Sequence, residues 1–207
     1  MRSRIDPQGV DGFAATPAGQ AYARTARQSL NGLLADRPPP NVHRTIANHP
    51  ALMSAIQPLM AHVAGDVLPA RDREMVILRT AWRSQAQYVW AHHHAAGLMV
   101  GLSEAEIARV TSEEAGDWAP FETALLQAVD ELHVMSVISD GTWMRLGERY
   151  SKEQVLELLA LVGTYKTLSF ILNSCVVPLD PWLERPARLP ADPVRRMSGR
   201  HARPPQG

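Results

Sequence analysis

Proline placement constrains this chain more than any other feature. Of its 16 prolines, only Pro120 lies between residues 70 and 177. Proline removes a backbone donor and its ring clashes with the preceding turn, so so long a stretch without it is free to be helical. Seven prolines crowd into the segment from Pro178 onward, together with six arginines. That end reads as an extended or disordered tail, able to wrap a neighbouring subunit or to lie as a solvated arm.

Helix signals fill the proline-free middle. Thr16-Pro17 is a cap followed by proline at the first helical position, and Asn48-His49-Pro50 is similar. Ser103 with Glu106, and Ser151 with Gln154, form capping boxes, in which each side chain satisfies an orphan amide. Gly101 sits where a left-handed C-terminal cap belongs. Apolar residues recur at helical spacing in Met75, Leu78 and Trp82, in Leu125, Val129 and Leu132, and in Val155, Leu158, Leu159 and Val162. The pattern predicts helices over 17–34, 50–64, 71–84, 86–99, 104–111, 120–137, 141–149 and 152–174, with Pro58 kinking the second. No turn dipeptide joins two alternating runs. The expected fold is all-α, with about seven to nine helices.

Composition removes several function classes. One cysteine cannot form an internal disulfide, a Cys-x-x-Cys pair or a multi-cysteine zinc site. With 21 basic and 21 acidic residues there is no cationic excess for binding nucleic acid. No run approaches the roughly 20 apolar residues of a membrane helix. The start, MRSRIDPQGVDG, lacks a signal-peptide core. The expectation is a cytoplasmic protein with neither nucleic-acid nor membrane partners.

The stretch Arg71–Leu102 holds the richest chemistry, as two helices broken near Ser84-Gln85. Glu74 shares a face with Ile77, Leu78 and Ala81, and His93 stacks with Val89, Trp90 and Gly97. A carboxylate and an imidazole converging from two helices form a candidate acid–base pair. The structural alternatives are an ion pair from Glu74 to Arg71, Arg73 or Arg79, and a core histidine held by a hydrogen bond. His92, His93 and His94 diverge by about 100° each around a helix, so they cannot chelate one metal ion. No metal site is expected. Asp130 and His133 stand one turn apart, Tyr165 is a candidate pocket hydroxyl, and Cys175 reads as a buried, inert thiol.

These residues together resemble a family. Asn48-His49-Pro50, LPARDREMVILRTAW, Tyr88-x-Trp90-x-x-His93, Gly101-Leu102-Ser103-x-x-Glu106-Ile107 and the ending Asn173-x-x-x-Val177-Pro178-Leu179-Asp180 are similar to the carboxymuconolactone decarboxylase family. Its superfamily includes the alkylhydroperoxidase D-type peroxidases. The resemblance spans residues 44–182, leaving an N-terminal helical extension at 1–43 and the Pro/Arg-rich tail at 183–207. It implies an alkylhydroperoxidase D-like helical bundle that assembles as a dimer, trimer or hexamer, with its site between the two central helices. The peroxidase branch has a glutamate, two cysteines three apart and then a histidine. Glu74 and His93 match the first and last of these, but Ala86 and Val89 occupy the cysteine positions. Thiol peroxide chemistry is thereby excluded. Decarboxylase-like members carry acidic residues where Gln87 and Val89 stand here.

What survives is His93 with Glu74 as catalytic candidates, an aromatic wall of Trp82, Tyr88 and Trp90, and Gln87, Val89 and Tyr165 as further substrate contacts. The expected function is a cofactor-independent lyase or cyclase that transfers protons on a carbonyl-activated small molecule. The reaction would be a decarboxylation, or a dehydration with conjugate addition, as in natural-product tailoring. The alternative is a non-catalytic member that binds a small ligand or oligomerises.

Overall fold

A computed structural model describes residues 2–25, 33–34, 36–112 and 118–193. Among these residues there are ten helices and no strand: α1 (Val10–Ala14), α2 (Pro17–Thr25), α3 (Asn41–Ile46), α4 (Pro50–Val63), α5 (Ala70–Arg83), α6 (Gln87–Met99), α7 (Glu104–Arg109), α8 (Pro120–Met135), α9 (Asp140–Gly147) and α10 (Lys152–Cys175). The all-α expectation holds, with one helix more than its upper count. The additions are α1 and α3, of 5 and 6 residues, which enter from Gly9 and Pro40 without any side-chain cap. Neither leaves a capping signal to read. The helix expected over 17–34 is observed to Thr25; residues 26–32 lie outside the described residues, and 33–34 form a turn.

The capping chemistry forms as the sequence dictates. Ser103–Glu106 and Ser151–Gln154 are complete capping boxes, and Thr16 Oγ1 accepts from Gly19 N at 3.0 Å. Gly101 adopts φ +88° and closes α6. α4 continues through Pro58, because the position faces solvent and water can satisfy the Ser54 carbonyl that loses its donor.

The organising element is α5, buried continuously from Asp72 to Ala81 and packed against α6, α8 and α10. Met75, Val76, Ile77, Leu78 and Ala81 supply its apolar surface. Its charged residues each find a partner from a neighbouring element. Asp72 accepts from Tyr150 Oη and Arg149 Nη2, both at 2.9 Å. Arg79 is 2.6 Å from Asp130 on α8, which also receives Arg83 at 2.7 Å. Arg79 Nη1 donates as well to the carbonyls of Val110 and Ser112.

One sequence expectation needs correction. α10 is long and apolar enough by composition to cross a membrane. The sequence pattern missed this because Ser169, Asn173 and Ser174 interrupt the apolar run in one dimension. In the fold, half of that apolar window is buried against the protein itself, where α10 packs on α4, α5, α6 and α9. It serves as a core helix.

Residues 177–192 contain no helix, and they lie against the bundle: Pro186 and Pro190 are buried. Residues 194–207, the rest of the expected tail, lie outside the described residues.

Burial opposes the charge on Asp130, but hydrogen bonds from Arg83 and Arg79 outweigh it and lower its pKa. The ion pair therefore adds stability above the ordinary carboxylate range and loses it as pH falls below about 4. Replacing Asp130 with Ala leaves Arg79 buried without its carboxylate. Fully buried pairs cost about 3–5 kcal/mol to break. Asp130 is partly exposed and Arg79 keeps its carbonyl partners, so the expected loss is about 2–3 kcal/mol, read from the urea midpoint at neutral pH. The gap between variant and wild type should shrink at pH 3.

Candidate functional site

The site is set by the turn between α5 and α6. Gln85 adopts φ 53°, the left-handed conformation that closes α5, and Ala86 N donates back to Ala81 O at 2.9 Å. Asn173 of α10 fixes the same turn by donating to Ser84 O at 3.0 Å. The two helices then return antiparallel. Glu74 and His93 lie about 16 and 12 Å from the turn along their axes, close enough in height to face each other.

They meet. His93 Nδ1 and Glu74 Oε2 are 2.7 Å apart, and the residues are 4% and 1% exposed. The second carboxylate oxygen of Glu74 is 3.6 Å from Arg73 Nε, and Arg73 Nη1 donates to Gly65 O at 2.6 Å. Both sequence alternatives for Glu74 are thus realised together, an ion pair on one oxygen and an imidazole on the other. The Tyr165 ring stands edge-on to His93, with centroids 4.9 Å apart. Burial, followed by the charge of Glu74, raises the Tyr165 pKa, so its hydroxyl stays a proton donor at neutral pH.

His93 lines a cavity walled by α2, α3, α4, α6 and α10. The cavity has about 90 Å³ of space open to water. Tyr88, Val89 and Tyr165 line it, and Glu74 stands behind His93. Tyr88 spends its hydroxyl on structure: Oη donates to Asp180 and accepts from Val42 N at 3.1 Å. Asp180 also receives Asn41 N and His92 Nε2, each at 2.9 Å. A second histidine–carboxylate pair, His92 with Asp180, therefore sits on the same cavity wall.

Three expected contacts are not at the cavity. Gln87 Nε2 donates to Pro190 O and Trp90 Nε1 to Arg188 O, both at 2.8 Å. Trp82 packs on Trp90 at 5.4 Å and lies beneath the Arg188 guanidinium at 5.1 Å. The segment after α10 folds back over the start of α6, and these three side chains anchor it. Such contacts link residues about a hundred apart and leave no local signal.

The sequence also left unmarked Tyr22 and His43, which line the cavity with ring centroids 4.7 Å apart. Burial, and next the neighbouring His92, lower the His43 pKa to about 4, against the opposing pull of Asp180. His92 is likewise lowered by burial, opposed by its bond to Asp180. Burial thus favours the uncharged form of both rings.

The three consecutive histidines go to three carboxylates: His92 to Asp180, His93 to Glu74 and His94 to Glu104. Among the described residues no group of three or more His, Cys, Asp or Glu is placed to share a metal ion. Asp130 and His133 do not pair, since Asp130 binds Arg79 and Arg83 while His133 Nδ1 lies 2.6 Å from Lys166 Nζ. Cys175 is half-buried at the end of α10, is not among the cavity-lining residues, and has its pKa raised by burial.

Replacing Tyr88 with Phe removes one donor from Asp180 and the acceptor of Val42 N–H. Buried groups left unsatisfied cost about 1–3 kcal/mol. Thermal or urea unfolding of the variant should show a loss of that size, with the helical far-UV spectrum unchanged.

Residues 50–131 match the carboxymuconolactone decarboxylase family. A search of curated proteins finds no match to the chain. Among solved structures, an uncharacterized peroxidase-related protein from Ralstonia eutropha JMP134, an alkylhydroperoxidase AhpD core, is 19% identical with a TM-score of 0.70, covering 86% of this chain and 93% of that one. The debrominase Bmp8 is 17% identical with a TM-score of 0.68, covering 87% and 94%. A cysteine-to-alanine variant of Bmp8 in complex with 2,3,4-tribromopyrrole superposes with a TM-score of 0.69. At these identities the likeness concerns the fold. This chain thus carries the carboxymuconolactone decarboxylase family pattern over residues 50–131, on an alkylhydroperoxidase D-like helical fold.

Proposed function

We propose that this protein is a cofactor-independent lyase or cyclase that moves protons on a carbonyl-activated small molecule held in the cavity. One observation carries the reading: His93 is clamped through Nδ1 by a buried carboxylate and lines a cavity. With Glu74 accepting the Nδ1 proton, Nε2 holds the lone pair. A base so fixed removes a proton next to a carbonyl, and the electrons of the broken C–H bond move onto the carbonyl oxygen. The Tyr165 hydroxyl, on a ring packed edge-on to His93, would donate a hydrogen bond to that developing anion, in place of Gln87 and Tyr88, which are engaged elsewhere. Enclosure by apolar side chains strengthens both interactions. The imidazolium then returns its proton to carbon, or to a departing hydroxyl, which accounts for isomerisation, dehydration and cyclisation by conjugate addition. In decarboxylation of an uncharged β-keto acid, His93 takes the carboxyl proton at Nε2, the electrons of the C–CO₂ bond pass toward the carbonyl oxygen as CO₂ leaves, and the imidazolium returns that proton to the enolate carbon.

The family match supports an enzyme of this class, and the debrominase with tribromopyrrole supports a single-ring substrate. A cavity that reaches His93 argues against the alternative of a ligand-binding protein with a blocked site. Among the described residues no thiol lines the cavity, and Val89 stands there instead. We also take the protein to be a homo-oligomer: Val134 and Met135 at the end of α8, Val137 just after it, Trp143 and Met144 on α9, and Leu156 and Phe170 on α10 are all exposed apolar residues suited to a subunit contact.

His93→Ala and Glu74→Gln should each lower turnover by about 10²–10⁴, measured over a panel of cyclic ketones, enones and lactones, while unfolding cooperatively like the wild type. Either variant retaining full turnover on a substrate the wild type converts would rule this assignment out. Saturable binding without turnover in the wild type would establish the non-catalytic alternative.

A further inference from the structure

Lysine is scarce in this chain, which holds Lys152 and Lys166 and no other. Lys152, at the start of α10, is exposed. Lys166 is half-buried further along the same helix, and its Nζ lies 2.6 Å from His133 Nδ1 on α8. An ammonium can only donate, so Nδ1 is the acceptor and the His133 proton sits on Nε2.

No carboxylate among the described residues pairs with Lys166. Asp130, one turn before His133 on α8, is spent: its two oxygens accept from Arg79 and from Arg83. Burial lowers the Lys166 pKa. The His133 pKa is lowered as well, first by burial and next by the charges of Lys166 and Arg83, against the pull of Asp130. The first shift raises the share of free amine on Lys166. The second favours an uncharged His133 ring that can accept a proton. A desolvated amine beside a base is the arrangement of an activated lysine nucleophile. Phe170, one turn along α10, holds an exposed ring 5.8 Å from Nζ.

We propose that Lys166 is a site of spontaneous acylation, with His133 as its base and a thioester of a short-chain carboxylic acid as the acyl donor. Water takes the first proton from the ammonium. The amine lone pair attacks the thioester carbonyl carbon, and His133 Nδ1 takes a second proton from nitrogen as the N–C bond forms. The tetrahedral carbon then collapses, the C–S bond breaks, and the imidazolium passes its proton to the departing thiolate. The products are an amide that keeps the third hydrogen on nitrogen, a free thiol and one proton in solvent. The Phe170 ring offers apolar surface to the acyl chain. Because Lys166 has no carboxylate partner, losing its charge strands no buried counter-ion. The site stands apart from the cavity and owes nothing to the proton-transfer reading.

The test incubates the full-length protein with acetyl-coenzyme A at neutral pH. Site-resolved peptide mass spectrometry gives initial acetylation rates at Lys166 and Lys152 within the same molecule. Lys166 should react at least about tenfold faster than Lys152, a modest share of what a positioned base supplies. His133→Gln keeps an oxygen that accepts from the ammonium but cannot carry its proton away. That variant should lower the Lys166 rate at least about tenfold and leave Lys152 unchanged, whereas a purely structural contact predicts no drop. Equal rates at the two lysines of the wild type overturn the inference, and so does a Lys166 rate that survives in His133→Gln. The first comparison needs no variant, so it decides even where the substitution disturbs folding.

Discussion

The α5 helix is enclosed from Asp72 to Ala81, yet it carries Asp72, Arg73, Glu74 and Arg79 inside that span. Charges removed from water are tolerated only when each is paired and hydrogen-bonded. That requirement shapes the surrounding bundle. α8 brings Asp130 to Arg79, the α9–α10 connection brings Arg149 and Tyr150 to Asp72, the loop after α4 brings the Gly65 carbonyl to Arg73, and α6 brings His93 to Glu74. Three of these arrangements are structural. The fourth differs because the partner of Glu74 is titratable and has its other face on a cavity. The interaction that stabilises a buried carboxylate is the same one that orients the imidazole we propose as the base.

The cavity depends on the same constraint at a second place. Asp180 is 3% exposed and gathers Asn41, Tyr88 and His92 around it. In doing so it ties α3, α6 and the segment after α10 into one wall. Two carboxylates, each fixing one histidine at neighbouring positions of α6, give the cavity two oriented imidazoles. Apolar residues line much of the rest, where a single well-placed donor or acceptor counts for more than it does in water.

The sequence revealed the parts of this that depend on local periodicity and capping. Helices α4 to α10 follow from proline-free apolar spacing and from Ser–Glu and Ser–Gln boxes, which are rules spanning three or four residues. Glu74 and His93 were legible because two helices joined by a short turn must run antiparallel, so register alone brings them together. Gln87, Trp82 and Trp90 were misplaced because their neighbours, Arg188 and Pro190, are about a hundred residues away and carry no periodic pattern. For the same reason Asp180 could not be recognised as the partner of Tyr88 and His92. Tyr22 and His43 belong to α2 and the uncapped α3, around a triple-proline run whose path across the cavity no short-range rule fixes. Side chains whose role depends on an irregular connection were the ones that sequence reading missed.

The account turns on the tautomer of His93. Nitrogen NMR of the protein labelled at histidine side chains reports which ring nitrogen carries the proton in the neutral imidazole. With Glu74 accepting from Nδ1, the His93 spectrum should show a protonated Nδ1 and an unprotonated Nε2, and Glu74→Gln should shift that resonance. A neutral His93 protonated at Nε2, with Nδ1 bare toward Glu74, would mean that Glu74 is itself the proton donor and that no base faces the cavity, and the proposed chemistry would fall.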